Sequence, residues 1–81
     1  MNAKLKCRQN LRDVAHSKYH TYLECAKQDL YWARKDRMAG RREEHLQCLE
    51  WAAYNREKAM KWYAKYLKAC RKVAELTEEV A

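Results

Sequence analysis

The segment Met38-Ala39-Gly40-Arg41 contains the only glycine of this 81-residue chain, which has no proline. Apolar residues recur at helical spacing on both sides of Gly40, so the chain either continues as one helix or folds back there. A glycine inside a helix costs only about 1 kcal/mol relative to alanine, which leaves both arrangements open. The choice between them therefore depends on the phases of the apolar residues.

Each half of the chain carries one apolar stripe with a period of three to four residues. The first consists of Leu11, Ala15, Tyr19, Tyr22, Ala26, Leu30 and Ala33, and the second of Leu46, Leu49, Ala53, Met60, Tyr63, Leu67, Cys70 and Ala74. With Leu11 set to zero and about 100° per residue, the stripes centre near about 50° and about 200°. One continuous helix would place them on nearly opposite faces, whereas a fold back at Gly40 lets them meet. The sequence therefore predicts an all-α, antiparallel two-helix hairpin.

The predicted hairpin forms a single domain over residues 1–81. Helix 1 covers about residues 3–38, the turn about 38–41 and helix 2 about 42–79. We place Gly40 at the position just after the helix end where a positive φ is common. Glu43 and Glu44 then lie in the first turn of helix 2, where acidic side chains favour the helix dipole.

Both stripes are wider than a single helix–helix seam requires. Val14, Cys25 and Trp32 widen the first, and Ala52, Ala59, Tyr66 and Val73 widen the second. A second copy of the chain would cover this excess by forming a four-helix bundle, so we predict a homodimer. The alternative is a monomer whose apolar face meets a different protein.

Helix 2 carries a row of basic residues, which we name the lysine row. It consists of Lys58, Lys61, Lys65, Lys68 and Lys72, with Trp62 inside it. No acidic residue lies within the row, and the apolar register places the row opposite the predicted core. The whole chain has 18 Lys and Arg against 11 Asp and Glu, a net charge of +7. Lysines attract phosphates and aromatic rings stack on bases, so we expect an anionic partner, either nucleic acid or an acidic protein surface. The alternative is a solvated face whose lysine stems cover the helix.

A second candidate surface lies near the turn, and we name it the aromatic cluster. Equal rise in both helices brings together Tyr31, Trp32, Trp51 and Tyr54, with Arg37, Arg41 and Arg42 around them. Trp, Tyr and Arg dominate the hot spots of protein interfaces. The composition resembles that of small helical inhibitors and adaptors encoded by bacteriophages, which implies a host or defence protein as partner. The rings alternatively close the end of the bundle, and a third interpretation is a structural subunit of a larger assembly.

The cysteines form no Cys-x-x-Cys pair that would indicate a zinc or redox site. They are Cys7, Cys25, Cys48 and Cys70. In the predicted hairpin Cys7 faces the Cys70 region and Cys25 the Cys48 region, so two bridges are one interpretation. The mitochondrial coiled-coil-helix-coiled-coil-helix proteins use that topology, but their cysteines are much closer together within each helix. We therefore expect four reduced thiols in a cytoplasmic protein.

The remaining polar residues give no catalytic or cofactor signature. His16 and His20 are one helical turn apart, but Ser17 follows His16, so the His-Glu-x-x-His zinc motif is absent and we expect solvated histidines. Two straight helices also offer no concave pocket of the size that enzymes use. We expect a protein that is not an enzyme, with no metal, cofactor or small-molecule substrate. No stretch reaches the roughly 18 apolar residues of a membrane span, so no membrane contact is expected.

Overall fold

The computed structural model describes residues 3–80 and shows two long antiparallel α-helices. Helix α1 covers Ala3–Met38 and helix α2 covers Arg42–Val80. The molecule measures 60 × 15 × 13 Å, and its described part contains no strand. The prediction of an all-α hairpin with its turn near Gly40 is confirmed.

Backbone hydrogen bonds close the turn between the helices. The Arg41 N–H donates to the Asp36 carbonyl at 2.8 Å, and the Gly40 N–H donates to the Arg37 carbonyl at 3.2 Å. These two bonds form a Schellman motif, which needs a left-handed residue after the helix end. Gly40 supplies it with a φ of 75°, and a Cβ at this position would meet nothing within 4 Å. The backbone conformation alone therefore favours glycine here.

The two helices meet along a seam of small residues. The buried hydrophobic side chains of the described part are Ala15, Ala26, Ala33, Cys48, Ala52, Ala59 and Ala69. No larger side chain among the described residues is fully buried. Small side chains at the contact let helix axes approach closely, so the core of the hairpin is thin.

In the single hairpin, the seam of helix 2 runs one residue before the stripe that the sequence predicts for the core and the dimer. The exposed fractions of the stripe's large members are 50% for Leu46, 38% for Leu49, 58% for Met60, 37% for Tyr63 and 44% for Leu67, and Ala53 and Ala74 are also exposed. The seam runs instead through the preceding positions, which include Ala52 and Ala59. Tyr63 still reaches helix α1, with its ring centroid 5.0 Å from that of Tyr19. Hydrophobicity ranks leucine and methionine above alanine, whereas close helix contact selects the smallest side chains.

The stripe of helix 1 is closer to the observed seam. Ala15 and Ala26 are buried as expected, while Tyr19 and Tyr22 are half-buried. Leu11 and Leu30 do not belong to the hairpin core, because about half of each side chain is exposed. The apolar stripes therefore extend beyond the seam.

The seam predicts a large difference between two identical substitutions on α2. Ala59 is 1% exposed, whereas Ala64 faces outward. We expect Ala59→Leu to lower the free energy of unfolding by about 2 kcal/mol, because extra methylene groups overpack a filled contact. Ala64→Leu serves as the matched control and should change it by less than about 0.5 kcal/mol. Urea unfolding at one protein concentration measures both, and equal stabilities of the two variants would contradict the seam.

Candidate functional surfaces

Polar contacts set the register of the helices near the turn. The Asn55 side chain donates to the Asp29 carboxylate at 2.7 Å, and His45 Nδ1 donates to the Ala33 carbonyl at 2.7 Å. Both contacts join α1 to α2, and the first lies inside the seam. They determine which residues of the two helices lie level and hence which side chains share a surface.

Asp36 is the buried charged residue of the described part, with 8% of its surface exposed. The Arg41 guanidinium donates to one carboxylate oxygen at 2.9 Å, and the Cys48 thiol donates to the other at 3.5 Å. Burial raises the pKa of the Cys48 thiol, and the hydrogen bond and charge of Asp36 raise it further. Arg41, which we predicted to border the aromatic cluster, therefore also acts in closing the turn.

Part of the lysine row reaches the side of the seam, whereas exposed Lys61, two residues after the buried Ala59, points away from the seam as the sequence predicts. Lys65 and Lys68 line a groove of about 280 Å³ together with Arg8 and Leu11 of α1. Half-buried Trp62 lines the same groove. The position of Arg8 was missed, although the equal rise of both helices already pairs its level with the end of the row. The row is thus one wall of a surface to which both helices contribute.

Two members of the lysine row are paired with acids on their own helix. Lys61 Nζ lies 3.4 Å from a Glu57 oxygen, and Lys72 Nζ lies 3.3 Å from a Glu75 oxygen. Both pairs are exposed and one turn apart on α2, so each contributes only about 0.3–0.5 kcal/mol. Such weak pairs do not prevent these lysines from binding another anion.

The other lysines have no carboxylate within 4.0 Å among the described residues. Lys65 Nζ lies 4.3 Å from the centroid of the Trp62 ring, and Lys58 Nζ lies 5.6 Å from that of Tyr54. The ammonium groups of Lys58 and Lys65 therefore lie over aromatic rings. Lys65 covers one face of the Trp62 ring, so a base can stack on that face only after the lysine moves.

The aromatic cluster is exposed as a group. The exposed fractions are 55% for Tyr31, 55% for Trp32, 54% for Trp51 and 55% for Tyr54. The Tyr31 and Trp32 rings meet edge to face, with centroids 5.4 Å apart. In the single chain the rings do not close the end of a core. Trp51 and Tyr54 precede Lys58 at helical spacing, so the aromatic cluster and the lysine row share one strip of α2.

The opposite edge of the seam is apolar, and we name it the apolar face. Its large exposed members are Leu30, Leu46, Leu49, Met60, Tyr63 and Leu67. A groove of about 440 Å³ runs between Leu30 of α1 and Leu49 and Met60 of α2, with Arg56 and Glu57 at its side. Lys58 and Met60 are the two neighbours of the buried Ala59. Each residue of a helix is rotated by about 100° from the one before it, so these two side chains lie on opposite sides of the seam.

The histidines pack against aromatic rings. His16 Nε2 lies 3.2 Å from His20 Nε2, and the His16 ring centroid lies 5.2 Å from that of Tyr66. A hydrogen bond with Cys70 raises the pKa of Tyr66. Within residues 3–80 no group of three or more His, Cys, Asp and Glu side chains is placed to hold a metal ion.

All four cysteines are free thiols in the structure. Cys7 and Cys25 are exposed, Cys48 is buried and Cys70 is half-buried. A disulfide between Cys25 and Cys48 does not fit the observed register. Asp36 lies level with Cys48, and Asp29 lies level with Asn55, so Cys25 lies about three helical turns from Cys48 along the hairpin.

Comparison of the chain with protein families, with curated proteins and with solved structures finds no match in any of the three. Among the described residues, neither helix is long and apolar enough to cross a membrane. The two edges of the hairpin and the aromatic cluster are therefore the candidate functional surfaces.

The surroundings of Cys48 predict a difference in thiol reactivity. Because the thiolate is the reactive form, the raised pKa and the burial of Cys48 should slow its alkylation by iodoacetamide at pH 8. We expect exposed Cys25 to react at least about tenfold faster, as measured by peptide mass spectrometry over time. In concentrated urea the two rates should converge. Equal rates in the folded protein would show that Cys48 is not enclosed by the seam.

Proposed function

We propose that this chain is a non-enzymatic nucleic-acid-binding protein that contacts phosphates with the lysine row and Arg8. The groove that Arg8 shares with Lys65 and Lys68 is the observation that carries the proposal. Cations from two helices line it, and the like charges of Lys65 and Lys68, three residues apart on one helix, destabilise each other. A bound phosphate would replace that repulsion with charge-assisted hydrogen bonds.

The length of the lysine row fits a nucleic-acid backbone. From Lys58 to Lys72 the helix rises by about 21 Å, at about 1.5 Å per residue. Duplex DNA carries a phosphate about every 3.4 Å along each strand, so the row spans several successive phosphates. Contacts to phosphates position a protein on the backbone without reading bases, and we therefore propose binding with little sequence preference.

A second candidate function is that of a protein inhibitor or adaptor that docks through the aromatic cluster. The exposure of four large rings at one end of the hairpin favours it. Large rings with arginine beside them are the groups that contribute most to protein interfaces. Arg37 and Arg42 are exposed near these rings. In this case the lysine row would be a solvated edge.

Charge reversal in the lysine row tests the first proposal. We expect Lys61→Glu/Lys65→Glu/Lys68→Glu to weaken binding of a 20-nucleotide DNA by at least about 100-fold in 50 mM salt. The slope of log affinity against log salt should fall by about three, because three phosphate contacts are lost. Fluorescence anisotropy with single-stranded and duplex DNA and RNA measures both quantities.

The matched control reverses three basic residues outside the grooves, in the variant Lys6→Glu/Lys27→Glu/Arg71→Glu. Each triple variant changes the charge by 3 × −2, from +7 to +1. We expect the control to retain most of the wild-type salt slope. Equal losses in the two variants would assign binding to net charge, and wild-type affinity in the first would overturn the proposed role of the row.

Substitution of Trp51 separates the two candidate functions. If the aromatic cluster docks on a protein, Trp51→Ala should abolish retention of that protein on the immobilised chain and leave nucleic-acid affinity within about twofold. Circular dichroism checks that helix content is unchanged, as expected for a side chain 54% exposed. The lysine-row variant is the control, since it should retain the same protein. A protein lost with both variants would argue against docking by the aromatic cluster.

A further inference from the structure

The hairpin leaves most of its large apolar side chains outside its own core. The core consists of six alanines and Cys48, whereas Leu30, Met60 and Leu67 are 53%, 58% and 44% exposed. On α2 the apolar face follows the seam by one residue from Leu46 to Leu67. These side chains therefore form one elongated surface rather than scattered exposed residues.

The dimensions of this surface restrict what can cover it. From Leu46 to Leu67 the face extends about 32 Å along α2, and the molecule is 15 Å wide, which gives a flat area of about 480 Å². A standard interface covers about 800 Å² on each partner, so the face is more than half of one. A partner that covers it must therefore be elongated along the hairpin.

A second copy of the chain meets this requirement through its own apolar face. Two hairpins packed in this way form a four-helix bundle, in which leucine and methionine fill the centre. Arg56 and Glu57 line the same groove at the middle of the face. A two-fold axis through this groove brings each Glu57 near the partner's Arg56, so the surface is complementary to itself.

We propose that the apolar face binds a second copy of this chain and that the dimer bridges two segments of nucleic acid. The bridging part rests on the proposed function of the lysine row. Lys58 and Met60 lie on opposite sides of the seam, so pairing through the apolar face turns both lysine rows outward. The two rows then lie on opposite sides of the bundle, each with access to its own strand or duplex.

Light scattering at about 50 µM protein, a concentration at which a dimer with a low-micromolar Kd is mostly paired, tests the pairing. We expect a mass of 2 × 9.8 kDa for the wild type and 9.8 kDa for Met60→Glu. Met60 is 58% exposed in the single hairpin, so a charge there disrupts the pairing far more than the fold. The matched control Gln28→Glu, at an exposed position of α1 on the side away from Leu30, should remain dimeric. A monomeric wild type, or a dimeric Met60→Glu, overturns the proposed interface.

A second measurement does not depend on the folding of any variant. The midpoint of thermal unfolding of the wild type should rise with protein concentration, because pairing stabilises the folded state by mass action. A midpoint that stays constant over a 100-fold range of concentration would overturn the dimer.

Bridging is tested with one immobilised oligonucleotide and a second, labelled one. We expect wild type to retain the labelled DNA, whereas Met60→Glu binds the immobilised DNA but retains at most about a tenth of the label. Retention of equal label by both would overturn bridging through the apolar face. A dimer that binds neither DNA would overturn the proposed function but not the interface. A monomer that binds DNA would overturn the interface but not the proposed function.

Discussion

The close approach of two helices along alanine side chains is the constraint on which the other features depend. Ala15 and Ala59 are 2% and 1% exposed, so the seam has no space for larger groups. Met60 and most of the exposed leucines therefore lie on one edge, and Lys65 and Lys68 lie on the other, beside Leu11. The same rotation of α2 brings Lys65 and Lys68 to the groove that contains Arg8. The two surfaces are consequences of one packing choice.

This packing also limits the stability that a single hairpin can reach. Burial of a methyl or methylene group contributes about 0.8 kcal/mol, whereas a fully buried leucine or methionine contributes about 1.5–3 kcal/mol. Each alanine of the seam buries a single methyl group, so nearly every contact contributes only the smaller of these two energies. The contacts of Asp29 with Asn55 and of Asp36 with Arg41 and Cys48 add specificity of register more than energy. The larger gain is available only when the apolar face is covered.

The sequence predicted the hairpin because the relevant signals are strong and local. A lone glycine after a helical stretch, and two stripes out of phase across Gly40, leave few alternatives. The register of α2 was missed because its apolar residues occupy two neighbouring registers, one rich in leucine and one in alanine. Hydrophobicity favours the first, and only the packing distance selects the second. The pairing of Asn55 with Asp29 could not be predicted from the apolar stripes either, because such stripes contain no polar residues.

The separation of charge and apolarity argues that both edges function at the same time. A dimer through the lysine row would have to remove several ammonium groups from water without acids to pair them, which is strongly unfavourable. Nucleic acid on the apolar face would leave its phosphates opposite leucine and methionine, without the cations that they require. Each edge therefore excludes the partner of the other. Because the edges lie on opposite sides of the seam, occupation of one does not obstruct the other, and the proposed two-fold assembly leaves both basic surfaces accessible.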